Sequence, residues 1–311
     1  MAAMLIYDNI YLEHDTGPHP ENQQRLISTC EHLKTTGMWN QLLIKKPRKA
    51  SEEELLLVHT ARHCEIVKTA SLRGGGYLDP DTVVSKKSYE AALFAAGGVL
   101  TAIDSIVKKD SVNAFCMVRP PGHHATSDRA MGFCLFNNAA IGARYAQKKH
   151  GMDKIAIFDW DVHHGNGTQD IFYEDPSVLY FSIHRFPFYP GSGETDETGA
   201  GKGKGFTINK PFYYGTTRDD MLKKTSGVLT KQFREFKPDL IIISAGFDGY
   251  KNDPVGGMGL EIEDYKKMTR MAVEAANECC EGRMVSTLEG GYDLHGLPLC
   301  IEAHLKSMNE V

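Results

Sequence analysis

The sequence has no apolar run long enough to cross a membrane, no excess of basic residues and no CxxC cysteine pair. A membrane span needs roughly 20 apolar residues, so we expect no membrane contact. The net charge of −5 argues against nucleic acid as a partner, because proteins of that kind neutralise phosphates with a basic surface. The seven cysteines are odd in number and suit free thiols in a reducing compartment. Since the first residues also lack the basic and apolar segments of a signal peptide, we expect a cytoplasmic protein.

Apolar residues, in contrast, are plentiful enough for a large core. The 311 residues are 41% hydrophobic, which suffices for a stable domain without disulfides. No internal repeat, low-complexity tract or Pro/Ser-rich linker divides the chain. We therefore expect residues 1–311 to form a single domain.

Short apolar runs alternate with helix-like segments along the chain. The runs are continuous rather than alternating with polar residues, as is typical of parallel strands covered on both faces. Apolar residues at three- and four-residue spacing predict helices around residues 93–107, 137–150 and 265–279. Strands that alternate with helices predict an α/β fold with right-handed crossovers. The predicted strands are Ala114–Val118, Lys154–Phe158, Val178–Ile183, Leu240–Ser244 and Met284–Leu288.

Polar residues follow these strands, at the sheet edge where α/β folds bind ligands. Each has an ordinary structural interpretation: a histidine pair in a solvated turn, an aspartate capping a helix, a tyrosine packed beside glycines. Their common position at one edge of the predicted sheet favours a functional site instead. They include His123, His124, Asp159, Asp161, His163, Asn166, Asp248 and Tyr292.

Asp161 and His163 give the strongest local signal. They are two residues apart on an extended segment, so their side chains point to the same side. Asp248, which follows a neighbouring strand, would complete an Asp–His–Asp set with an open position for water. Three protein ligands and an open position are typical of catalytic zinc. Because the ligands mix nitrogen and oxygen, Fe(II), Co(II) or Mn(II) would also be accepted.

Five motifs in this order resemble the histone deacetylase family and its bacterial amidohydrolase relatives. The motifs are RPPGHHA, GFCLFNN, DWDVHHGNGTQ, SAGFDGYKNDPVGG and LEGGYD, and the similarity begins at HPENQQRL near residue 19. The resemblance therefore covers nearly the whole chain. It implies the arginase/deacetylase fold, a single α/β domain with a central, mostly parallel sheet of about eight strands flanked by helices, compatible with right-handed crossovers.

The resemblance also implies that zinc is the catalytic metal and that two histidines handle the proton. The zinc ligands would be Asp161, His163 and Asp248, the set that the residue pattern itself suggests. His123 and His124 would face the attacking water, with His124 acting first as general base and then as general acid.

Three further side chains would support these groups by the same resemblance. Asp159 would orient His123, and Asn166 would lie behind His124, where class II-like members carry asparagine. An asparagine adds no negative charge, so it should raise the pKa of His124 less than an aspartate would. Tyr292 would donate its hydroxyl to the acyl carbonyl oxygen and then to the oxyanion, which predicts true deacetylase activity.

The family's substrate tunnel has counterparts in this sequence. Gly132 and Phe133 match one wall of the tunnel. The opposite wall is usually a phenylalanine directly before a proline, and here that position is Tyr189, with Phe188 beside it. The tunnel therefore stays aromatic but gains a hydroxyl at its rim.

Other positions match less central features of the family. Arg25 corresponds to an arginine on the internal path for acetate release, and Asp81 aligns loosely with a rim residue that grips the substrate backbone. A structural potassium site is also implied. Its matching residues are Asp159, Asp161, His163 and Ser182.

One glycine-rich segment and two acidic residues have weaker functional signals. Residues 185–206 are rich in glycine but lack the GxxxxGK[ST] spacing of a phosphate loop, so we expect a mobile loop at the rim of the site. Asp253 and Glu289 could support the site from behind the residues that form it or simply belong to turns, and we favour the interpretation as turn residues.

The sequence thus predicts a zinc-dependent deacetylase acting on acetyl-lysine or a related N-acyl amine. Its substrate could be an acylated lysine peptide or protein, an acetylated polyamine or a small metabolite. An arginase-like ureohydrolase is disfavoured, because the ligands for a second manganese are missing after His163. A non-catalytic acyl-lysine binder is disfavoured because every catalytic position is filled.

Overall fold

Eight parallel strands form the centre of the fold in a computed structural model that describes residues 3–310. The strands, including a separate antiparallel pair β3–β4, are β1 Met4–Ile6, β2 Leu43–Lys45, β3 Gly75–Tyr77, β4 Val83–Ser85, β5 Asn113–Cys116, β6 Ile155–Asp159, β7 Val178–Arg185, β8 Thr207–Phe212, β9 Leu240–Ala245 and β10 Met284–Leu288. The order in the main sheet is β2-β1-β5-β10-β9-β6-β7-β8. This confirms the predicted α/β class and the parallel sheet of about eight strands.

Helices connect the strands and cover both faces of the sheet. Asn137 caps α5, whose start the sequence predicted, by accepting a hydrogen bond from the Ala140 amide. A π-helical segment, Leu229–Phe233, joins α7 to α8. The helices are α1 Gln24–Thr35, α2 Glu52–Leu55, α3 Ala61–Leu72, α4 Ser88–Val107, α5 Asn138–His150, α6 Asn166–Phe172, α7 Arg218–Val228, α8 Arg234–Phe236, α9 Ile262–Cys280 and α10 Gly296–Asn309.

All five predicted strands are present, with ends shifted by at most two residues. Four of them are buried along their whole length, namely β5, β6, β9 and β10. The sequence missed β1, β2 and β8. β1 and β2 have three residues each, β2 is exposed at the sheet edge, and β8 mixes apolar residues with Asn209 and Lys210. β8 lacks the continuous apolar run that revealed the others, and β1 and β2 are too short for such a run to predict a strand.

Helix α4 is the most apolar helix of the fold. Its 20 residues are long and apolar enough to cross a membrane, with a mean hydropathy of 1.5 in the most apolar window. However, 78% of that window is buried inside the protein, where α4 packs on α5 and β5. The composition of α4 therefore fits a core helix.

The sheet order determines where the catalytic groups can meet. β5, β10, β9 and β6 are consecutive neighbours, and all run in the same direction. The loops that follow them therefore emerge side by side at the carboxyl edge of the sheet. These loops carry the histidine pair, Tyr292, Asp248 and the Asp161–His163 pair.

The glycine-rich segment after β7 is tied to the body of the protein, a feature that its composition did not indicate. Glu197 accepts hydrogen bonds from the amides of Gly193 and Glu194, and Gln169 on α6 donates to the same carboxylate. The carbonyl of Gly193 also lies 3.0 Å from Nε2 of the buried His184. The part of the loop that follows the predicted channel residues is thereby anchored.

Candidate active site

A cavity of about 220 Å³ opens at the carboxyl edge of the sheet. It brings together the residues that the sequence assigned to proton transfer, to one metal ligand and to the substrate channel. The predicted residues that line it are Asp81, His123, His124, Gly132, Phe133, His163, Phe188, Tyr189 and Tyr292.

Three side chains at the base of the cavity could hold a metal ion. The ligand atoms of Asp161, His163 and Asp248 lie within 4.8 Å of one another, and all three residues are buried. Nδ1 of His163 is 3.0 Å from Oδ1 of Asp161 and 3.1 Å from Oδ2 of Asp248. Nδ1 carries at most one proton and can donate it to only one of the two carboxylates. A bound cation would interact with both carboxylates and with the nitrogen, so these three side chains fit a metal ion better than a hydrogen-bonded group.

The hydrogen bonds of the two aspartates support the same conclusion. Oδ1 of Asp248 accepts the Val162 amide at 2.9 Å, whereas the only polar contact of its buried Oδ2 among residues 3–310 is Nδ1 of His163, which it shares with Asp161. Leaving a buried carboxylate oxygen unpaired is costly unless a cation compensates it. Oδ2 of Asp161 accepts the Gly290 amide at 2.8 Å. The residues present therefore fit a metal ion.

Glycine is required where the strand ends meet these carboxylates. A Cβ atom on Gly290 would lie 2.2 Å from Oδ2 of Asp248, and one on Gly246 would lie 2.1 Å from Oδ2 of Asp161. Both distances are far below van der Waals contact. The glycines thus allow the backbone of β9 and β10 to approach the metal ligands.

His123 is held by a carboxylate, as the resemblance implied. Its Nδ1 lies 3.0 Å from Oδ2 of Asp159, which also accepts the Tyr180 hydroxyl at 3.1 Å. Burial disfavours a charge on the ring, but Asp159 and Asp161 outweigh it and raise the pKa of His123 to about 10. The two carboxylates therefore favour the protonated ring of His123.

His124 has the opposite environment. Its Nδ1 lies 2.8 Å from the amide oxygen of Asn166, which can only accept, so Nδ1 carries the ring proton. Nε2 is then free to accept a proton. Burial and the neighbouring charge of His123, whose ring centroid is 4.0 Å away, lower the pKa of His124. The two histidines are thus a charged donor and a neutral acceptor.

Tyr292 is fixed at the wall of the cavity by groups on several elements. Its ring meets Phe133 edge-on at 5.8 Å, and the guanidinium of Arg25 lies 4.9 Å from the ring centroid. Its backbone amide donates to Oδ2 of Asp253 at 2.6 Å. Burial raises the pKa of Tyr292, so its hydroxyl remains a hydrogen-bond donor at neutral pH.

Both aromatic residues of the opposite wall take part. Phe188 stacks on His163 with ring centroids 5.1 Å apart, and Tyr189 meets His124 edge-on at 5.1 Å. Gly132 lines the cavity as expected, and the packing of the site also requires a glycine there. A Cβ there would lie 2.4 Å from the ring of His124, so the glycine makes room for the histidine itself.

The structure places the two peripheral residues at opposite ends of the site. Asp81 lies between β3 and β4 and lines the cavity, where burial and the neighbouring Asp79 raise its pKa to about 6. Arg25 is fully buried behind Tyr292. It pairs with Glu21 at 3.0 Å and donates to the carbonyl of Gly291 at 2.6 Å.

The predicted structural-cation residues are neighbours in the sheet. Asp159 on β6 is paired in register with Ser182 on β7, and Asp161 and His163 follow β6 directly. The hydroxyl of Ser182 lies 2.9 Å from Nδ1 of His184.

Two residues for which we favoured a turn role bind the backbone of segments that carry catalytic residues, although neither lines the cavity. The carboxylate of Glu289 is fully buried and that of Asp253 is partly buried, and they accept backbone hydrogen bonds from the segments that carry His123 and Tyr292 respectively. Asp253 also caps its own turn, as an aspartate in a loop usually does, by accepting the amides of Val255 and Gly256. The additional bonds to segments distant in sequence have no local signature. Their position within the motifs after β9 and β10 was the signal that could have found them.

Comparison with known proteins agrees with this geometry. A family model described as the histone deacetylase domain matches residues 19–308. A probable deacetylase of Archaeoglobus fulgidus is 40% identical over 299 residues, which cover 95% of this chain and 83% of that protein. A polyamine deacetylase, HDAC10 of Danio rerio, is 40% identical over 89% of this chain and 42% of its own length. The crystal structure of the HDA15 HD domain matches with a TM-score of 0.93 and 38% identity, covering all of this chain and 90% of that one.

Proposed function

The chain belongs to the histone deacetylase family and is a hydrolytic deacetylase, and we propose that it hydrolyses acetyl-lysine or a related N-acyl amine with one bound zinc ion. One observation carries the proposal. At the base of a single cavity, a cluster of three metal-capable side chains lies beside two histidines, one charged and one neutral. A free amine and acetate would be the products.

Asp161, His163 and Asp248 would hold the zinc ion. Bound zinc would supply a Lewis acid for the amide carbonyl and would lower the pKa of a water molecule to about 7. Fe(II), Co(II) and Mn(II) suit the same mixed ligands and are candidate substitutes. Among residues 3–310 this is the one cluster of three or more His, Cys, Asp or Glu side chains with ligand atoms close enough to share an ion, which supports a single catalytic metal over an arginase-like pair.

The histidine pair would divide the proton transfer. Nε2 of His124 accepts the proton of the attacking water, because Asn166 keeps the ring proton on Nδ1. His123, charged through Asp159, stabilises negative charge that develops next to it. His124 then gives its proton to the nitrogen of the leaving amine, which makes that nitrogen a better leaving group.

Tyr292 would stabilise the transition state from the cavity wall. Its protonated hydroxyl donates to the substrate carbonyl oxygen, whose negative charge grows as the water attacks. Gly132, Phe133, Phe188 and Tyr189 enclose the acyl-bearing chain between apolar surfaces and exclude water from it.

The substrate classes that we propose are acylated lysine in a peptide or protein and acylated polyamine. The polyamine alternative is supported by the Danio rerio relative, whose name states that activity. Asp81 at the cavity would accept a hydrogen bond from a substrate backbone amide or attract a cationic amine.

Three further assignments remain part of the proposal. Arg25, buried directly behind Tyr292, would lie on the path by which acetate leaves. A potassium ion would bind near Asp159, Asp161, His163 and Ser182 as a structural cation. The seven free thiols suit a cytoplasmic location.

Hydrolysis of a matched substrate panel tests the proposed function. The panel is an acetyl-lysine peptide, peptides with longer acyl chains and acetylspermidine, each assayed with zinc-loaded and chelator-stripped protein. We expect turnover that disappears with the metal and returns on adding zinc, and the fastest substrate identifies the substrate class. Absence of turnover on every substrate by protein that has bound one equivalent of zinc would contradict the proposal.

A further inference from the structure

Glu289 is a fully buried carboxylate that the mechanism above does not use. Its Oε2 accepts the backbone amides of Gly122 at 2.6 Å and His123 at 3.1 Å, and its Oε1 accepts the Ser244 hydroxyl at 3.0 Å. One side chain from the end of β10 therefore joins the end of β9 to the loop that carries the histidine pair. The backbone of this loop has a defined place relative to β10 because of these three bonds.

Asp253 has a matching arrangement on the other side of the cavity. Its Oδ2 accepts the amides of Tyr292 at 2.6 Å and Asp293 at 3.2 Å. Its Oδ1 accepts the amides of Val255 and Gly256 at 2.9 and 3.0 Å. The loop after β9 is thereby joined to the segment that carries the tyrosine.

We propose that Glu289 and Asp253 are positioning residues, which set the histidine pair and Tyr292 at their working separation by binding the backbone amides beside them. The inference deepens the proposed function, on which its kinetic part rests. Residues 289–292 connect the two sides, since Glu289 holds the His123 amide while Tyr292 is itself held by Asp253. Between them, the Gly290 amide binds the metal ligand Asp161.

The position of the catalytic side chains relative to the substrate should have a large effect on kcat. A displacement of about 1 Å in a catalytic group can cost about 10²-fold in rate. Neither carboxylate lines the cavity, so loss of either should leave substrate binding nearly unchanged. The expected signature is a fall in kcat with KM retained.

Two conservative variants separate the effect of side-chain length from the effect of charge at Glu289. Glu289→Gln keeps the reach: its amide oxygen can accept both backbone amides, and its nitrogen can donate to the Ser244 hydroxyl, which also accepts. Glu289→Asp keeps the charge but withdraws the oxygens by one methylene. We expect kcat within about fivefold of wild type for Gln and about 10²-fold lower for Asp, with KM within threefold for both.

Replacing the carboxylate by an amide should have a larger effect on kcat at Asp253 than at Glu289. Each of its oxygens accepts two backbone amides, so an asparagine can serve only one of the two pairs. We therefore expect Asp253→Asn to lose kcat, in contrast to Glu289→Gln.

A matched control exists at the opposite end of the sheet. Oδ2 of Asp239, just before β9, accepts the consecutive amides of Asp153 and Lys154 at 2.8 and 2.9 Å. Asp239→Asn tests the loss of charge from a carboxylate that binds backbone amides away from the site. It should change thermal stability but not kcat measured well below the melting temperature.

The experiment measures kcat and KM on an acetyl-lysine peptide, zinc content, and amide hydrogen exchange for the zinc-loaded variants. Faster exchange at the Gly122 and His123 amides in Glu289→Asp, and at the Tyr292 and Asp293 amides in Asp253→Asn, would support positioning. The inference is overturned if Glu289→Asp keeps wild-type kcat, or if Glu289→Gln is as slow as Glu289→Asp. If the wild type hydrolyses nothing, the proposed function fails, while unchanged exchange at these four amides would separately overturn the positioning role.

Discussion

Replacing Tyr292 by phenylalanine removes one hydroxyl and little else. The ring is held by Phe133 at 5.8 Å and by the guanidinium of Arg25 at 4.9 Å from its centroid, and the backbone is held by Asp253. None of these contacts needs the hydroxyl. The phenylalanine ring should therefore take the same place, and the substitution should isolate the contribution of one donor to the transition state.

The expected loss follows from the role of that donor. Removing one oxyanion donor costs about 2.7–4 kcal/mol, or about 10²–10³ in kcat. Because the hydroxyl strengthens its bond only as charge develops, KM should stay within about threefold. The assay is steady-state hydrolysis of an acetyl-lysine peptide, with zinc content measured for both proteins and Tyr77→Phe, on the exposed β3, as control. A fall in kcat below fivefold at full zinc occupancy would show that Tyr292 is not the oxyanion donor.

Four other predictions concern the metal, the base, the rim and stability. Asp161→Asn should reduce bound zinc from one equivalent to near zero, measured by elemental analysis after dialysis, and retained stoichiometric zinc would remove Asp161 from the ligand set. His124→Ala should lower kcat by about 10²–10⁴ while zinc stays bound, and full activity would disprove it as the base. Burial and Asp79 raise the pKa of Asp81 to about 6, so its carboxylate becomes protonated as the pH falls from 7 to 5. KM should therefore rise about tenfold over this range. An Asp81→Asn variant should show no such rise. Glu21→Gln leaves buried Arg119 without its carboxylate partner and should lower the free energy of unfolding in urea by about 3–5 kcal/mol, and a change under 1 kcal/mol would contradict that account.

The sequence predicted the part of the fold in which burial leaves a continuous apolar run. β6 and β9 are such strands, and the polar residues that follow them are the metal ligands. Asp161 and His163 do lie together, but not on the extended segment that we expected. β6 ends at Asp159, the backbone bends at residues 161–163, and Oδ1 of Asp161 accepts the His163 amide at 2.9 Å. The identification of Asp248 as their partner depended on strand neighbourhood, which the sheet order confirms.

Other features depend on contacts that no local pattern records. The reason for Gly132 is the ring of His124, eight residues away in sequence but close in space. Glu289 meets the Gly122 amide 167 residues away, and a glutamate in a loop has no local signature for such a bond. Edge strands such as β2 are too short and exposed to stand out from turns.

The place of β10 in the sheet has a consequence for how the protein folds. β10 lies between β5 and β9, although it is the last strand of the chain. A nascent chain that has reached only residue 283 therefore has two unpaired strand edges in the middle of its sheet, where other chains could add. Long-range parallel pairing of this kind is intrinsically slow. We expect a chain cut before Met284 to aggregate and to need a chaperone, because the last strand to be synthesised closes both the sheet and the catalytic site.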